Sequence, residues 1–235
     1  MMKERLDKFL SSQTALSRKE AQKAIKEKRV LLNGTVARAA DTKVDTESDT
    51  VSLDGQPLTY QQYVYYMMDK PEGVVSATKD REERTALDLL PPELRRDGLF
   101  PAGRLDKDTT GLLLITDDGD LAHRMLSPKK HVKKRYIATL DREPDDSIAS
   151  AFEAGIVLGD GTVCKSGQAE ALGDRRVAAV ISEGKYHQVK RMFAALGYHV
   201  EALRRVQIGG LALDEGLKPG EVRVLTAEEA QRVFD

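Results

Sequence analysis

Residues 104–110, Arg-Leu-Asp-Lys-Asp-Thr-Thr, lead into the apolar run Gly111-Leu112-Leu113-Leu114-Ile115. The run suits a buried strand, and the polar residues before it suit the loop feeding that strand, where functional groups are commonly held on a rigid support. Two carboxylates stand there, Asp106 and Asp108, and three uses are open to them. They can be ordinary solvated loop acids. One can attack or deprotonate a bound substrate. The pair can also flank a glycosidic bond as acid and as nucleophile or base. In an extended segment residues i and i+2 point the same way with Cβ atoms ~7 Å apart, so spacing alone does not choose among these. Metal chemistry is disfavoured: His123, His131, His187 and His199 have no i, i+4 partner, and Cys164 is the single cysteine. No metal ligand is expected.

Two other stretches carry reactive side chains. Lys129, Lys130, His131, Lys133, Lys134 and Arg135 stand immediately before Tyr136. Like charges this dense favour phosphate, and an adjacent tyrosine adds a surface for stacking. The plainer alternative is a solvated loop and a tyrosine on a half-buried strand, Lys134 to Ala138. Downstream, Lys190 in His187-Gln188-Val189-Lys190-Arg191 begins a helical stretch that continues through Leu196. It is either an exposed helix lysine or a cation turned toward a site.

The elements that position these groups can be traced along the chain. Leu6, Phe9 and Leu10 recur at i, i+3, i+4 and predict a short helix. A second follows, with Ser17 and Glu20 as its capping box and Ala21, Ala24 and Ile25 as its buried face. On it Lys19, Lys23 and Lys26 project together. Val30 to Leu32, Asn33-Gly34 and Thr35 to Ala37 read as a hairpin, and Thr50 to Leu53 as a further strand. Residues 59–63 form a short polar linker. Val64 to Met68 is a buried strand broken at Lys70-Pro71-Glu72-Gly73, and a helix is expected near Ala86 to Leu90, ended by Pro91-Pro92.

Composition bounds the class. The chain has 235 residues, 32% charged and 40% hydrophobic, enough for a small module and a larger one with real cores. The net charge of −1 argues against a nucleic-acid partner until it is divided. The first 40 residues hold ten Lys and Arg against four Asp and Glu, a net of +6, so the rest sums to −7. That segregation suits anchoring on RNA. One cysteine, a charged start and the lack of a long apolar run lead to the expectation of a cytoplasmic protein with no membrane association.

Two resemblances are carried by whole strings. RLDKFL at 5–10, SRKEAQKAIK at 17–26 and VLLNG at 30–34 resemble an S4 domain, a small RNA-binding module, over residues 1–58. That likeness implies an RNA face at or near Lys8, Ser17, Arg18, Lys23, Lys26, Arg29 and Asn33. GRLDKDTTGLLLITDDG at 103–119 is similar to the catalytic signature of the RNA pseudouridine synthases, in the branch with an N-terminal S4 domain. KPEGVVSAT at 70–78, KRY at 134–136, EGKYHQVKRMFAALGYHV at 183–200 and RRVQIGG at 204–210 agree with it in order.

The second resemblance implies an α+β protein. Its S4 domain of helices and short strands is joined to a synthase domain, residues 64–235, with a mixed, mainly antiparallel sheet flanked by helices. By the same likeness Asp106 is the essential aspartate, acting on C1′ or on a sugar proton. Lys190 pairs with it, Arg191 being the second choice. Tyr136 stacks on the target base, and Arg104 fills the gap left by an everted uridine. Lys133, Lys134 and Arg135 would add phosphate contacts. The implied activity is conversion of one uridine in ribosomal RNA to pseudouridine, without cofactor or metal, by a monomer. Within the branch the likeness favours 16S rRNA or a partly assembled small subunit over 23S rRNA. A non-catalytic RNA-binding or assembly protein, and a hydrolase using Asp106 and Asp108, are the rivals.

Overall fold

The computed structural model describes residues 3–235; Met1 and Met2, with which the first module opens in the sequence reading, lie outside the described residues. The chain forms two compact units. One runs to Tyr63 and includes Leu90–Leu99; the other comprises Val64–Leu89 and Phe100–Asp235.

The first unit contains β1 (Lys3–Arg5), α1 (Leu6–Gln13), α2 (Arg18–Lys26), β2 (Val30–Leu32), β3 (Thr35–Val36), β4 (Lys43–Asp45), β5 (Val51–Leu53) and β6 (Gln56–Leu58). The two predicted helix stripes meet in one core with Val30, Val44 and Val51. At the start of α2 the Glu20 amide donates to the Ser17 hydroxyl while the Ser17 amide donates to the Glu20 carboxylate, closing the expected capping box. Asn33 and Gly34 take φ of 50° and 77°, the geometry of a two-residue hairpin turn between β2 and β3. The β1–β4 pair and β6 have no counterpart in the sequence reading, because three-residue strands are too short to show alternation.

Two boundaries differ from the sequence reading. Residues 59–63, the expected linker, are packed on the first unit: Tyr60 stacks on Phe9, and Gln13 and Gln61 exchange side chain to backbone hydrogen bonds of 3.2 and 2.8 Å. Leu90–Leu99 joins the same unit, with the Asp97 amide donating to the Ser11 carbonyl and Arg96 to the carbonyls of Gln61 and Gln62. Such contacts span tens of residues and leave no local signature. The helix expected near 86–90 is a single 3₁₀ turn at Leu87–Leu89, directly before the prolines.

The second unit contains β7 (Tyr65–Lys70), β8 (Phe100–Ala102), β9 (Thr109–Thr116), α3 (Gly119–Leu126), β10 (Lys134–Leu140), α4 (Ile148–Ala154), β11 (Gln168–Gly173), β12 (Arg176–Ile181), α5 (Gln188–Ala195), β13 (Val200–Ile208), β14 (Leu211–Ala212), β15 (Val222–Leu225) and α6 (Ala227–Gln231). Its sheet is ordered β11-β12-β10-β13-β9-β7-β15, with β14 on β13 and β8 on β9. Among the described residues the β9–β13 pair is parallel and the other pairs of this sheet are antiparallel, the mixed, mainly antiparallel architecture expected. Leu121, Ala122 and Met125 of α3 and Ala230 of α6 pack with Met67, Leu112 and Leu114. Phe152 of α4 meets Phe193 of α5 at 5.3 Å.

The parallel join depends on a glycine. Gly111 sits at φ +100°, and a Cβ there would stand 2.2 Å from the Arg205 carbonyl oxygen. Only a residue without a side chain lets β9 approach β13 this closely. The approach fixes Arg205 beside the loop at 104–108.

Candidate active site

A cleft of about 390 Å³ in the second unit is lined by Arg104, Leu105, Asp106 and Thr109 from one side, Lys134 and Tyr136 of β10, Arg205 of β13, and Lys185 to Val189 at the start of α5. The volume lies in the range of small-ligand sites. Chain segments more than 80 residues apart thus converge on the end of the loop that the sequence singles out.

That loop is a turn, not an extended segment. The Thr109 amide donates to the Asp106 carbonyl at 3.0 Å, and the two carboxylates consequently diverge. Asp106 lines the cleft, 31% exposed, with Oδ1 3.3 Å from His187 Nε2. Asp108 is 62% exposed and lies 2.5 Å from Lys190 Nζ, outside the cleft lining. Its hydrogen bond to Lys190 holds the Asp108 carboxyl below the usual carboxylate range. The expected Lys190–Asp106 pair is therefore replaced by Lys190–Asp108 and His187–Asp106. Arg191, the second choice, pairs with Asp160 at 2.5 Å and is not a cleft residue either.

The loop is fastened from beneath by Lys70, the last residue of β7. Its side chain is completely buried, and Nζ donates to the carbonyls of Pro71 and Thr109 at 2.9 Å and of Lys107 at 3.4 Å. Burial pulls this ammonium down to about 8, against the opposing pull of Asp108 and Asp106. The sequence reading treats Lys70-Pro71 as a strand break and misses this clamp. The available signal was a lysine closing an otherwise apolar run.

Arg205 is 2% exposed and donates from Nε to the Leu112 carbonyl at 2.9 Å. In the ladder it stands opposite Tyr136, which is itself buried with its ring on the cleft. Lys134, two residues before Tyr136, shares that face because strand side chains alternate. Its amine is pulled down to about 8 by burial and by the charge of Arg205. The basic patch at 133–135 accordingly divides. Lys134 enters the cleft, Lys133 is exposed beside a different cavity, and Arg135 reaches Glu170 at 3.9 Å. Arg104 is exposed at the cleft margin.

His187 has no role in the sequence reading beyond a rejected metal ligand. It caps α5 in the left-handed conformation, φ 46°, which turns the imidazole to Asp106. Tyr186 stacks on it with ring centroids 3.8 Å apart and planes 18° apart.

In the first unit, the candidate contact residues fall into two groups. Ser17 is the α2 cap, Arg29 grips Asp54 through two hydrogen bonds of 2.8 and 2.7 Å, and Asn33 bridges Asp49 and the Thr50 amide. Arg18 shares the buried Asp7 with Arg5 and Gln22, donors that hold that carboxyl well below its ordinary value. These four make structural bonds. Lys19, Lys23 and Lys26 are exposed along α2; Lys8, also exposed, is 3.6 Å from Glu4, and Lys23 is 3.8 Å from Glu27.

Comparison with known proteins bears on both units. Residues 64–195 match the RNA pseudouridylate synthase family and residues 4–51 match the S4 domain. The chain is 44% identical to an uncharacterized RNA pseudouridine synthase of Bacillus subtilis (strain 168), covering 96% of each. It is also 44% identical to the ribosomal small subunit pseudouridine synthase A of Escherichia coli (strain K12), covering 97% of this chain and 99% of that one. Among solved structures, a crystal structure of a pseudouridylate synthase superposes with a TM-score of 0.68 at 40% identity, over 97% of this chain and 99% of the other.

Proposed function

The chain belongs to the RNA pseudouridine synthase family, and from that premise we propose that it converts a uridine of small-subunit ribosomal RNA to pseudouridine with Asp106 as the reacting group. The observation that carries this is the placement of Asp106 in the cleft, next to Tyr136 and held by His187, while Asp108 is turned out toward Lys190. A single carboxylate facing the bound base suits isomerisation. Hydrolysis by a carboxylate pair would need both in the cleft.

The reaction breaks the bond from uracil N1 to C1′, turns the base within the cleft and joins C5 to C1′, with loss of the C5 proton. An ionised Asp106 begins it by attacking C1′ or by taking a sugar proton. The base must first leave its stack, at a cost of a few kcal/mol, and Tyr136 offers a replacement stacking surface. Arg104, exposed at the margin, fills the space the uridine vacates. Lys134 and Arg205 supply positive charge along the cleft, while Lys19, Lys23 and Lys26 supply it in the S4 unit. Anchoring and chemistry on one chain support action as a monomer, and a ribosomal substrate supports a cytoplasmic location. Among the described residues no helix is long and apolar enough to cross a membrane.

The deciding experiment maps pseudouridine after incubation with 16S transcript, 23S transcript and partly assembled small subunits. New pseudouridine confined to the 16S sequence is expected; modification only in 23S would overturn the substrate assignment. Two further results are expected. Lys134, with its amine near 8, is cationic below that pH and neutral above it, so RNA affinity is full below about pH 8 and declines as the pH rises through it. Lys134→Arg removes that decline, because a guanidinium stays charged; a decline surviving in the variant would assign it to another group. Replacing Lys19, Lys23 and Lys26 together by Gln lowers the slope of log affinity against log salt by about 2 to 3. An unchanged slope would move the phosphate contacts off α2.

A further inference from the structure

Tyr186 is 73% exposed, the most exposed large hydrophobic side chain among the described residues. Its ring nevertheless has a partner, the His187 imidazole, at 3.8 Å and 18°. One face of the phenol ring is thus occupied and the other is presented to solvent at the cleft mouth. Leu126, 49% exposed, lies on the same cleft, as do the cationic Arg104 and Lys134. A flat aromatic face on a cleft that also carries apolar and cationic groups fits a ligand with both a π-surface and phosphates. An unpaired nucleotide has both, and an aromatic side chain accepts any base because every base has a π-face.

We propose that Tyr186, backed by His187, is the stacking platform for an unpaired base adjacent to the everted uridine. Tyr136 inside the cleft serves the reacting base, and Tyr186 at the mouth serves its neighbour. The platform also lies one residue from the Asp106 contact, since the imidazole under Tyr186 is the one whose Nε2 reaches that carboxylate. A base seated on Tyr186 therefore presses on the group that orients Asp106. The proposal rests on the reading of the cleft as a uridine site.

The chain contains no tryptophan, so Tyr186→Trp installs a single reporter on the platform. Its emission is titrated with oligouridylate and with an abasic ribose-phosphate oligomer of equal length. Saturable quenching by the oligouridylate, absent with the abasic oligomer, is expected; equal responses to the two would overturn the platform. Tyr186→Ala should bind oligouridylate about tenfold more weakly than wild type, with Tyr186→Phe restoring most of the affinity. Wild-type affinity in the alanine variant would also overturn it. Pseudouridine formation by the wild type on 16S transcript is measured separately. Quenching without pseudouridine would sink the isomerase reading and leave the platform standing, whereas pseudouridine without quenching would do the reverse.

Discussion

Asp106→Asn is expected to reduce pseudouridine formation by at least about a thousandfold while leaving RNA affinity within about threefold of wild type. The size follows from the loss of the only carboxylate that lines the cleft among the described residues. An amide neither attacks C1′ nor accepts a sugar proton, and removal of a single essential group commonly costs a factor of this order or more. Affinity should survive because the positive charge assigned to RNA binding lies on Lys134, Arg205 and the α2 lysines rather than on an acid. The same comparison separates the rivals named at the outset. A non-catalytic RNA-binding protein would show no activity for the substitution to remove. A hydrolase would release free uracil from the wild-type reaction. If the variant formed pseudouridine at the wild-type rate, the assignment of Asp106 would fail. Asp108→Asn is the natural control. Its carboxylate serves Lys190 outside the cleft, so it should retain far more activity than Asp106→Asn.

What could be read from the chain beforehand depended on the range of the forces involved. Ser17 with Glu20, Asn33-Gly34 and the run at 111–115 act within a few residues, and each forms the element its local chemistry requires. The architecture was legible through whole strings, which is how the mixed sheet could be expected without strand order being derivable. The site was legible only in part. Arg104, Asp106, Lys134 and Tyr136 reach one cleft, but Lys190, the partner given to Asp106, lies against Asp108 and His187 stands by Asp106. Lys190 and His187 are three residues apart at the start of α5, and the left-handed backbone at His187 decides which faces which carboxylate. A backbone torsion of that kind is not visible in residue types, since positive φ is uncommon for any residue other than glycine. The packing of Leu90–Leu99 on the first unit was hidden for a related reason, although the stretch lies within the family match at 64–195. Its allegiance comes from pairings with Ser11, Gln61 and Gln62, far away in sequence.

Lys70 gives the second large effect, and its sign turns on two opposed terms. Lys70→Met keeps the stem volume in a fully buried position but removes the ammonium. Of the three carbonyls that then lose a donor, that of Thr109 is buried and costs about 1–3 kcal/mol, while those of Pro71 and Lys107 are only partly buried and can turn to water. Against this, the depression of the amine to about 8 from an ordinary 10.5 means that burying the charge costs about 3 kcal/mol, which the methionine does not incur. The terms largely offset, so global stability should change by no more than about 3 kcal/mol. Activity has no such offset. Freed carbonyls at 107 and 109 let the turn carrying Asp106 relax, and a displacement near 1 Å can cost on the order of a hundredfold. Lys70→Met is therefore expected to lower kcat by about a hundredfold with KM within about threefold, the split that marks a positioning residue rather than an RNA contact. The pH dependence of folding supplies an independent check. Between about pH 8 and 10.5 the unfolded chain holds the Lys70 proton that the folded chain has released, so this lysine makes stability rise with pH across that window and contributes no slope below it. In Lys70→Met that rise should vanish from denaturant unfolding measured at pH 7, 9 and 10. A variant with wild-type kcat and an unaltered pH slope would show that the clamp does not hold the Asp106 loop.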